Sequence, residues 1–186
     1  MTCCGPVSSD LDPSLLERAA RVRLAVFDVD GVLTDGRLCL GPDGEEFKNF
    51  HVRDGLGLVM LRECGFHIAI ISARSAPVVA ERMRALGIEH VLQGEGDKRA
   101  ALQRTLDQLA LAPAQAAFVG DDLVDLGAMA AAGLGIAVAD AHRLVRDRAD
   151  WVTRLPGGQG AVREICEMLL AAHGLLEQSW ARHAPG

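Results

Sequence analysis

Four short stretches of this chain carry side chains that can do chemistry, and they recur at regular intervals. Asp28 and Asp30 stand two residues apart, followed by Gly31. Ser72 and Arg74 come next, then Lys98, then the acidic set Asp121, Asp122 and Asp125. Two carboxylates as close as Asp28 and Asp30 repel each other unless a cation or a proton lies between them. An aspartate is ionised at neutral pH without help, so such a set can hold a cation or supply a nucleophile.

The segments before these residues explain how they could meet. The run Leu-Ala-Val-Phe before Asp28 is apolar throughout, as in a strand buried on both faces. Asp28 then marks its carboxyl end. Apolar runs at 66–71, 88–92, 116–119 and 134–138 have the same character. Between them lie helical periods, such as Leu102, Leu106 and Leu109 within 98–109. Strand and helix alternate as in βαβ units. The expected fold is α/β, a doubly wound, Rossmann-like parallel sheet. In such sheets ligands bind at the carboxyl edge, where all four stretches would converge.

Other elements are read the same way. Asp12 caps a first helix with Pro13 in its opening turn, and Leu15, Leu16, Ala19 and Ala20 form its apolar face. Gly41-Pro42-Asp43-Gly44 is a turn signal between two arms with apolar residues, which predicts a β-hairpin over 37–52. A helix is expected from Gly55, stopped by Gly65. Ser75 is the expected cap of the helix that Gly87 stops, and a further helix spans 123–132. The turn 157–160 precedes a last helix whose N-terminus favours anions. Residues 1–22 form an extension, disordered over 1–11. Residues 23–176 form the core, and 177–186 a tail in which Trp180 has no assigned role.

Composition narrows the function classes. The chain has 186 residues and a net charge of −6. One domain is expected, able to bury roughly 70% of its unfolded surface. The acidic balance argues against nucleic acid or an anionic membrane as partner. Five cysteines without a Cys-x-x-Cys pair indicate reduced thiols in the cytoplasm rather than a disulfide or zinc framework. No basic stretch followed by an apolar core opens the sequence, so no secretory signal is expected. The six histidines show no ligand spacing.

The pattern Asp28-x-Asp30-Gly31-x-Leu33-Thr34, then Ser72, Lys98 and Gly120-Asp121-Asp122-x-x-Asp125, resembles the four motifs of the haloacid dehalogenase-like phosphatases, in order and in kind. The resemblance implies that Asp28 attacks phosphorus to form an aspartyl-phosphate. It implies that Asp30 protonates the leaving oxygen and then takes a proton from water. Asp28, Asp121 and the Asp30 backbone carbonyl would hold Mg²⁺, with Asp122 supporting it through water. Ser72 and Lys98 would hold the phosphoryl oxygens. Asp125, a second metal-supporting candidate, would orient Lys98 or cap its own helix. Only a hairpin and a helix separate the first two motifs, so no large cap domain fits. Further segments, from Phe50-His51-Val52-Arg53-Asp54-Gly55 to Gly157-Gly158-Gln159-Gly160-Ala161-Val162-Arg163-Glu164, resemble a capless branch acting on eight-carbon sugar-acid phosphates. Arg53, Arg74 and Arg163 are the candidates to meet that substrate, a guanidinium pairing bidentately with its carboxylate. A structural ion pair is the competing role for each. A related nine-carbon sugar phosphate, a phospho-accepting receiver domain and an inactive domain of the same fold are the other readings. The resemblance also implies a homotetramer joined through hairpins, with the C-terminal region covering a neighbour's site.

Overall fold

The computed structural model describes residues 12–184; the expectation for 1–11, and Cys3 and Cys4 with it, lies outside them. Six parallel strands form the main sheet in the order β5-β4-β1-β6-β7-β8. They are β1 (Leu24–Phe27), β4 (His67–Ser72), β5 (His90–Gln93), β6 (Ala116–Gly120), β7 (Leu134–Ala137) and β8 (Trp151–Val152). β1 is central and pairs in parallel with β4 on one side and β6 on the other. The strand order therefore reverses at β1, and Asp28 leaves the sheet at that switch point, where doubly wound sheets open a crevice. Every residue of β1, β6 and β7 is buried, as continuous apolar runs require.

Two helical layers cover the sheet. α4 (Lys98–Leu109) and α5 (Leu126–Ala131) contact each other and strands β4, β6 and β7. On the other side α1 (Pro13–Ala19), α2 (Val52–Glu63), α7 (Ala161–Ala172) and α8 (Leu176–His183) pack around α7. α3 (Pro77–Ala85) and the short α6 (Arg143–Arg146) complete the set. Met60, Met83, Met129 and Met168 are buried in the core. β2 (Cys39–Leu40) and β3 (Glu46–Phe47) form a separate antiparallel hairpin directly after the β1 turn, as expected.

Several boundaries differ from the sequence reading. Val52 belongs to α2, not to the hairpin arm, and α2 begins three residues before Gly55. Paired strand ends at Phe47, because Lys48 turns inward toward the β1 loop. Ala76, not Ser75, precedes α3, and its N–H is donated to the Gln93 side chain at 2.8 Å. The segment 123–132 begins as a 3₁₀ turn, Leu123–Asp125, before α5. Ala20 is exposed, and Val22 supplies the buried contact instead. The two-residue β8 and the one-turn α6 were too short to show any period. The tail is helical, and Trp180 Nε1 donates to Glu167 Oε1 at 3.0 Å, which fixes α8 on α7.

Candidate active site

The loop after β1 is built by its own residues. Thr34 is buried, and its Oγ1 donates to the Val29 carbonyl while receiving the Gly36 N–H at 3.2 Å. Gly31 has φ +96°, and a Cβ there would lie 2.1 Å from Asp121 Oδ2. Only glycine lets the β1 loop approach the β6 loop this closely. A second glycine supports it from behind. A Cβ at Gly157 would lie 1.7 Å from the Gly31 carbonyl oxygen. Gly158 donates its N–H to the Val32 carbonyl at 2.9 Å, and Gly157 to Asp140 Oδ1 at 2.9 Å.

Lys98 opens α4, with Asp97 accepting the Ala100 N–H as cap. Its ammonium is 2.9 Å from Asp28 Oδ1 and 2.6 Å from Asp125 Oδ1. All three side chains are buried. Asp125 meets Lys98 and also closes the turn ahead of its helix. Oδ1 meets Lys98, while Oδ2 accepts the backbone N–H groups of Asp121 at 3.0 Å and Asp122 at 3.2 Å. Burial disfavours the Lys98 ammonium, but Asp28 and Asp125 outweigh that and raise its pKa.

Carboxylate oxygens of Asp28, Asp121 and Asp125 lie within 4.8 Å of one another. Burial, and then the Asp125 charge, push Asp28 up to about 6 against the pull of Lys98. Burial, and then the charges of Asp28 and Asp125, push Asp121 up to about 8. Asp121 Oδ1 is buried with no hydrogen-bond partner among the described residues. Asp125 is already committed to Lys98 and the backbone. An orphaned acceptor beside a second crowded carboxylate fits a hard divalent cation such as Mg²⁺, held by Asp28 and Asp121.

Ser72 ends β4, is buried, and accepts the Arg74 N–H at 3.2 Å. Arg74 is half-exposed and reaches over the site, with Nη2 3.1 Å from Glu46 Oε2 and Nε 3.8 Å from Asp30 Oδ2. Lys48 completes this group by binding both Asp30 Oδ1 and Glu46 Oε1. Burial works against its ammonium, but the hydrogen bonds to Asp30 and Glu46 prevail and raise its pKa. The sequence reading missed Glu46 and Lys48. The signal was present: residues two apart share a face, here the face opposite Phe47.

Three of the expected side chains make other contacts or none among the described residues. Asp122 is exposed and accepts the Leu123 N–H at 2.8 Å. Arg53 is exposed on the first turn of α2, with no hydrogen bond or ion pair among the described residues. Arg163 pairs with Glu167 at 2.8 Å, the structural alternative considered for it. The N-terminus of α7 is also occupied, so it does not present a free anion site. Buried Asp54 accepts the N–H groups of Gly160 at 3.2 Å and Arg163 at 2.8 Å. The 157–160 loop thus supports its own chain's catalytic loop.

Comparisons with known proteins place the chain in a family. A family model of the haloacid dehalogenase-like hydrolases matches residues 81–165. The chain belongs to the haloacid dehalogenase-like hydrolases. Within that family it is 48% identical over 178 residues to the 3-deoxy-D-manno-octulosonate 8-phosphate phosphatase KdsC of Escherichia coli K12, covering 96% of this chain and 93% of that protein. Among solved structures it resembles the 3-deoxy-D-manno-octulosonate 8-phosphate phosphatase of Moraxella catarrhalis in complex with magnesium, phosphate and KDO. The TM-score is 0.90 at 39% identity, over 92% of this chain and 98% of that one. The cobalt-bound deoxy-D-mannose-octulosonate 8-phosphate phosphatase of Haemophilus influenzae gives a TM-score of 0.84 at 39% identity, over 88% and 98%.

Proposed function

We propose that this chain is a Mg²⁺-dependent phosphatase that hydrolyses 3-deoxy-D-manno-octulosonate 8-phosphate to the free sugar acid and phosphate, in the synthesis of lipopolysaccharide precursors. One observation carries the reaction: Lys98 bridges Asp28 and Asp125 at 2.9 and 2.6 Å beside the orphaned Asp121 oxygen. The near-full-length likeness to KdsC carries the substrate.

Asp28 attacks phosphorus, and the bond to the sugar oxygen breaks as Asp30 gives that oxygen a proton. Asp30 then takes a proton from the water that attacks the aspartyl-phosphate, which frees Asp28 and phosphate. Ser72 and Lys98 hold the phosphoryl oxygens. Asp28, Asp121 and the Asp30 carbonyl would hold the cation, with Asp122 supporting it through water, and it would supply charge neutralisation. Arg74, the guanidinium nearest Asp30, meets the sugar-acid carboxylate. Arg53 and Arg163 are the further candidates to meet the substrate, Arg163 at a neighbouring subunit's site.

The working form is a cytoplasmic homotetramer. Leu38, Leu40 and Phe47 are exposed on the hairpin, and a two-stranded ribbon is marginal alone. Packing against copies of itself in closed symmetry would cover them. Free thiols at Cys39, Cys64 and Cys166 suit a reducing compartment.

A panel of sugar phosphates assayed with Mg²⁺ tests the substrate, and 3-deoxy-D-manno-octulosonate 8-phosphate should be turned over best. Asp28→Asn should abolish turnover, and an active Asp28→Asn protein would sink the assignment. Arg74→Ala should slow the sugar-acid phosphate far more than p-nitrophenyl phosphate; equal losses would remove Arg74 from substrate recognition. Light scattering gives the mass, and Phe47→Glu should lower it. A fully active monomer would defeat the tetramer.

A further inference from the structure

Asp30 presents two oxygens in different surroundings. Oδ1 is bound by the Lys48 ammonium. Oδ2 is buried and accepts no hydrogen bond among the described residues, and Arg74 Nε lies 3.8 Å from it. The Lys48 side chain is only 1% exposed, although it comes from a hairpin that points apolar residues at solvent. Its second partner, Glu46 Oε1, lies at 2.7 Å, and Glu46 Oε2 in turn meets Arg74 at 3.1 Å. Asp30, Lys48, Glu46 and Arg74 thus form a closed ring of alternating charge. The ring spans the β1 loop, the hairpin and the end of β4.

We propose that Lys48 is a positioning residue: by engaging Oδ1 of Asp30 it fixes the carboxyl group and leaves Oδ2 as the oxygen that gives and takes the proton. This rests on the acid/base reading of Asp30. In the first step Asp28 forms its bond to phosphorus, the bond from phosphorus to the sugar oxygen breaks, and that oxygen takes the proton from Oδ2. In the second, water bonds to phosphorus, its proton passes to Oδ2, and the acyl-phosphate bond breaks to restore the Asp28 carboxylate. A carboxyl group free to rotate would spend part of its time with neither oxygen aimed at the substrate. Misplacement of a reacting group by about 1 Å can cost on the order of a hundredfold.

A merely structural latch gives a different result. Loosening the hairpin would slow every substrate alike. Loss of proton delivery slows only substrates whose leaving group needs a proton. The test compares the sugar phosphate with p-nitrophenyl phosphate, whose phenolate leaves unaided, in Lys48→Met, Lys48→Arg, Asp30→Asn and the Asp30→Asn/Lys48→Met double variant. Circular dichroism confirms folding, and Lys48→Gln replaces Lys48→Met if the latter fails to fold. Lys48→Met should lower kcat on the sugar phosphate by about ten- to a hundredfold, no more than the whole of what general acid catalysis supplies, with KM little changed. On p-nitrophenyl phosphate the first step should fall less than about threefold in a single-turnover measurement. Lys48→Arg should recover much of the loss. The double variant should be no slower than Asp30→Asn alone, since Lys48 acts through Asp30. Equal losses on both substrates, a change in KM alone, or multiplicative losses in the double variant would overturn the proposal. If Asp30→Asn itself shows no leaving-group dependence, the acid/base reading fails first, and Lys48 has nothing to position.

Discussion

Replacing Asp125 by alanine removes the residue that ties three parts of the site together. Its side chain is fully buried, and it meets Lys98 at 2.6 Å and the N–H groups of Asp121 and Asp122 at 3.0 and 3.2 Å. Breaking a buried ion pair by deleting one partner costs about 3–5 kcal/mol, because a charge is left uncompensated. Here Lys98 keeps Asp28 at 2.9 Å, which reduces that cost. The two orphaned N–H groups add to it, at about 1–3 kcal/mol for each that water cannot reach. The two corrections oppose each other, so about 3–5 kcal/mol stands for Asp125→Ala. For a chain of this length each kcal/mol is worth about 2–4 °C, so Tm should fall by roughly 6–20 °C. Asp125→Asn keeps one acceptor and should lose about half as much. Thermal melting followed by circular dichroism measures both. Turnover should fall alike on the sugar phosphate and on p-nitrophenyl phosphate if Lys98 serves the phosphoryl group common to them, as proposed. An alanine variant that melts within about 2 °C of the parent would refute this account of the ion pair.

Two other outcomes follow from the geometry. Asp28 and Asp121 are raised to about 6 and about 8 without a cation, so the native protein holds more protons than the unfolded chain over that range. Their contribution to stability is then lost as pH rises from the ordinary carboxylate range near 4 through those values. Mg²⁺ replaces the protons, so its gain in Tm should be larger at pH 8.5 than at pH 5.5; equal gains at both would remove these two carboxylates as the binding pair. Gly157→Ala would set a Cβ 1.7 Å from the Gly31 carbonyl oxygen, which is backbone and cannot swing aside. It should cost about 1–3 kcal/mol in denaturant unfolding and slow turnover by about tenfold or more through the displaced loop. Gly96→Ala meets nothing within 4 Å and is the control; a Gly157→Ala protein that matches it would show that the two loops do not touch.

What the sequence disclosed of this site, and what it withheld, follows from how each contact is made. Asp28, Lys98 and Asp121 were legible because each closes a local pattern: an apolar strand that stops at a charge, or a helix that begins after a loop. Strand identity and chain order then placed them at one sheet edge without any knowledge of contacts. Glu46 and Lys48 were not legible in that way. Their partner Asp30 lies 18 residues before Lys48, and only the hairpin's bend brings the ammonium back to it. Asp54 was harder still, since the N–H groups it caps belong to residues 106 and 109 positions later. A buried aspartate inside a helix reads as a polar lapse until the second helix is in place.

The same distinction bears on how a phosphatase without a cap domain keeps its site in order. The motif residues need rigid placement, and strands β1, β4 and β6 supply it for Asp28, Ser72 and Asp121. The loops between motif and solvent have no such scaffold, so the chain fixes them with long-range polar contacts. Asp54 holds the start of α7, Asp140 and Val32 hold the 157–158 turn, and that turn abuts Gly31. On the open side the ring of Asp30, Lys48, Glu46 and Arg74 holds the hairpin over the catalytic loop. One support is made of carboxylates and a carbonyl accepting backbone N–H groups, packed against glycine and largely buried. The other is ionic, and Arg74 keeps it partly open to water. If Arg74 takes the substrate carboxylate as proposed, that carboxylate competes with Glu46 for the same guanidinium. Occupancy of the site and the hold on the hairpin would then be linked through Arg74, which also faces Asp30.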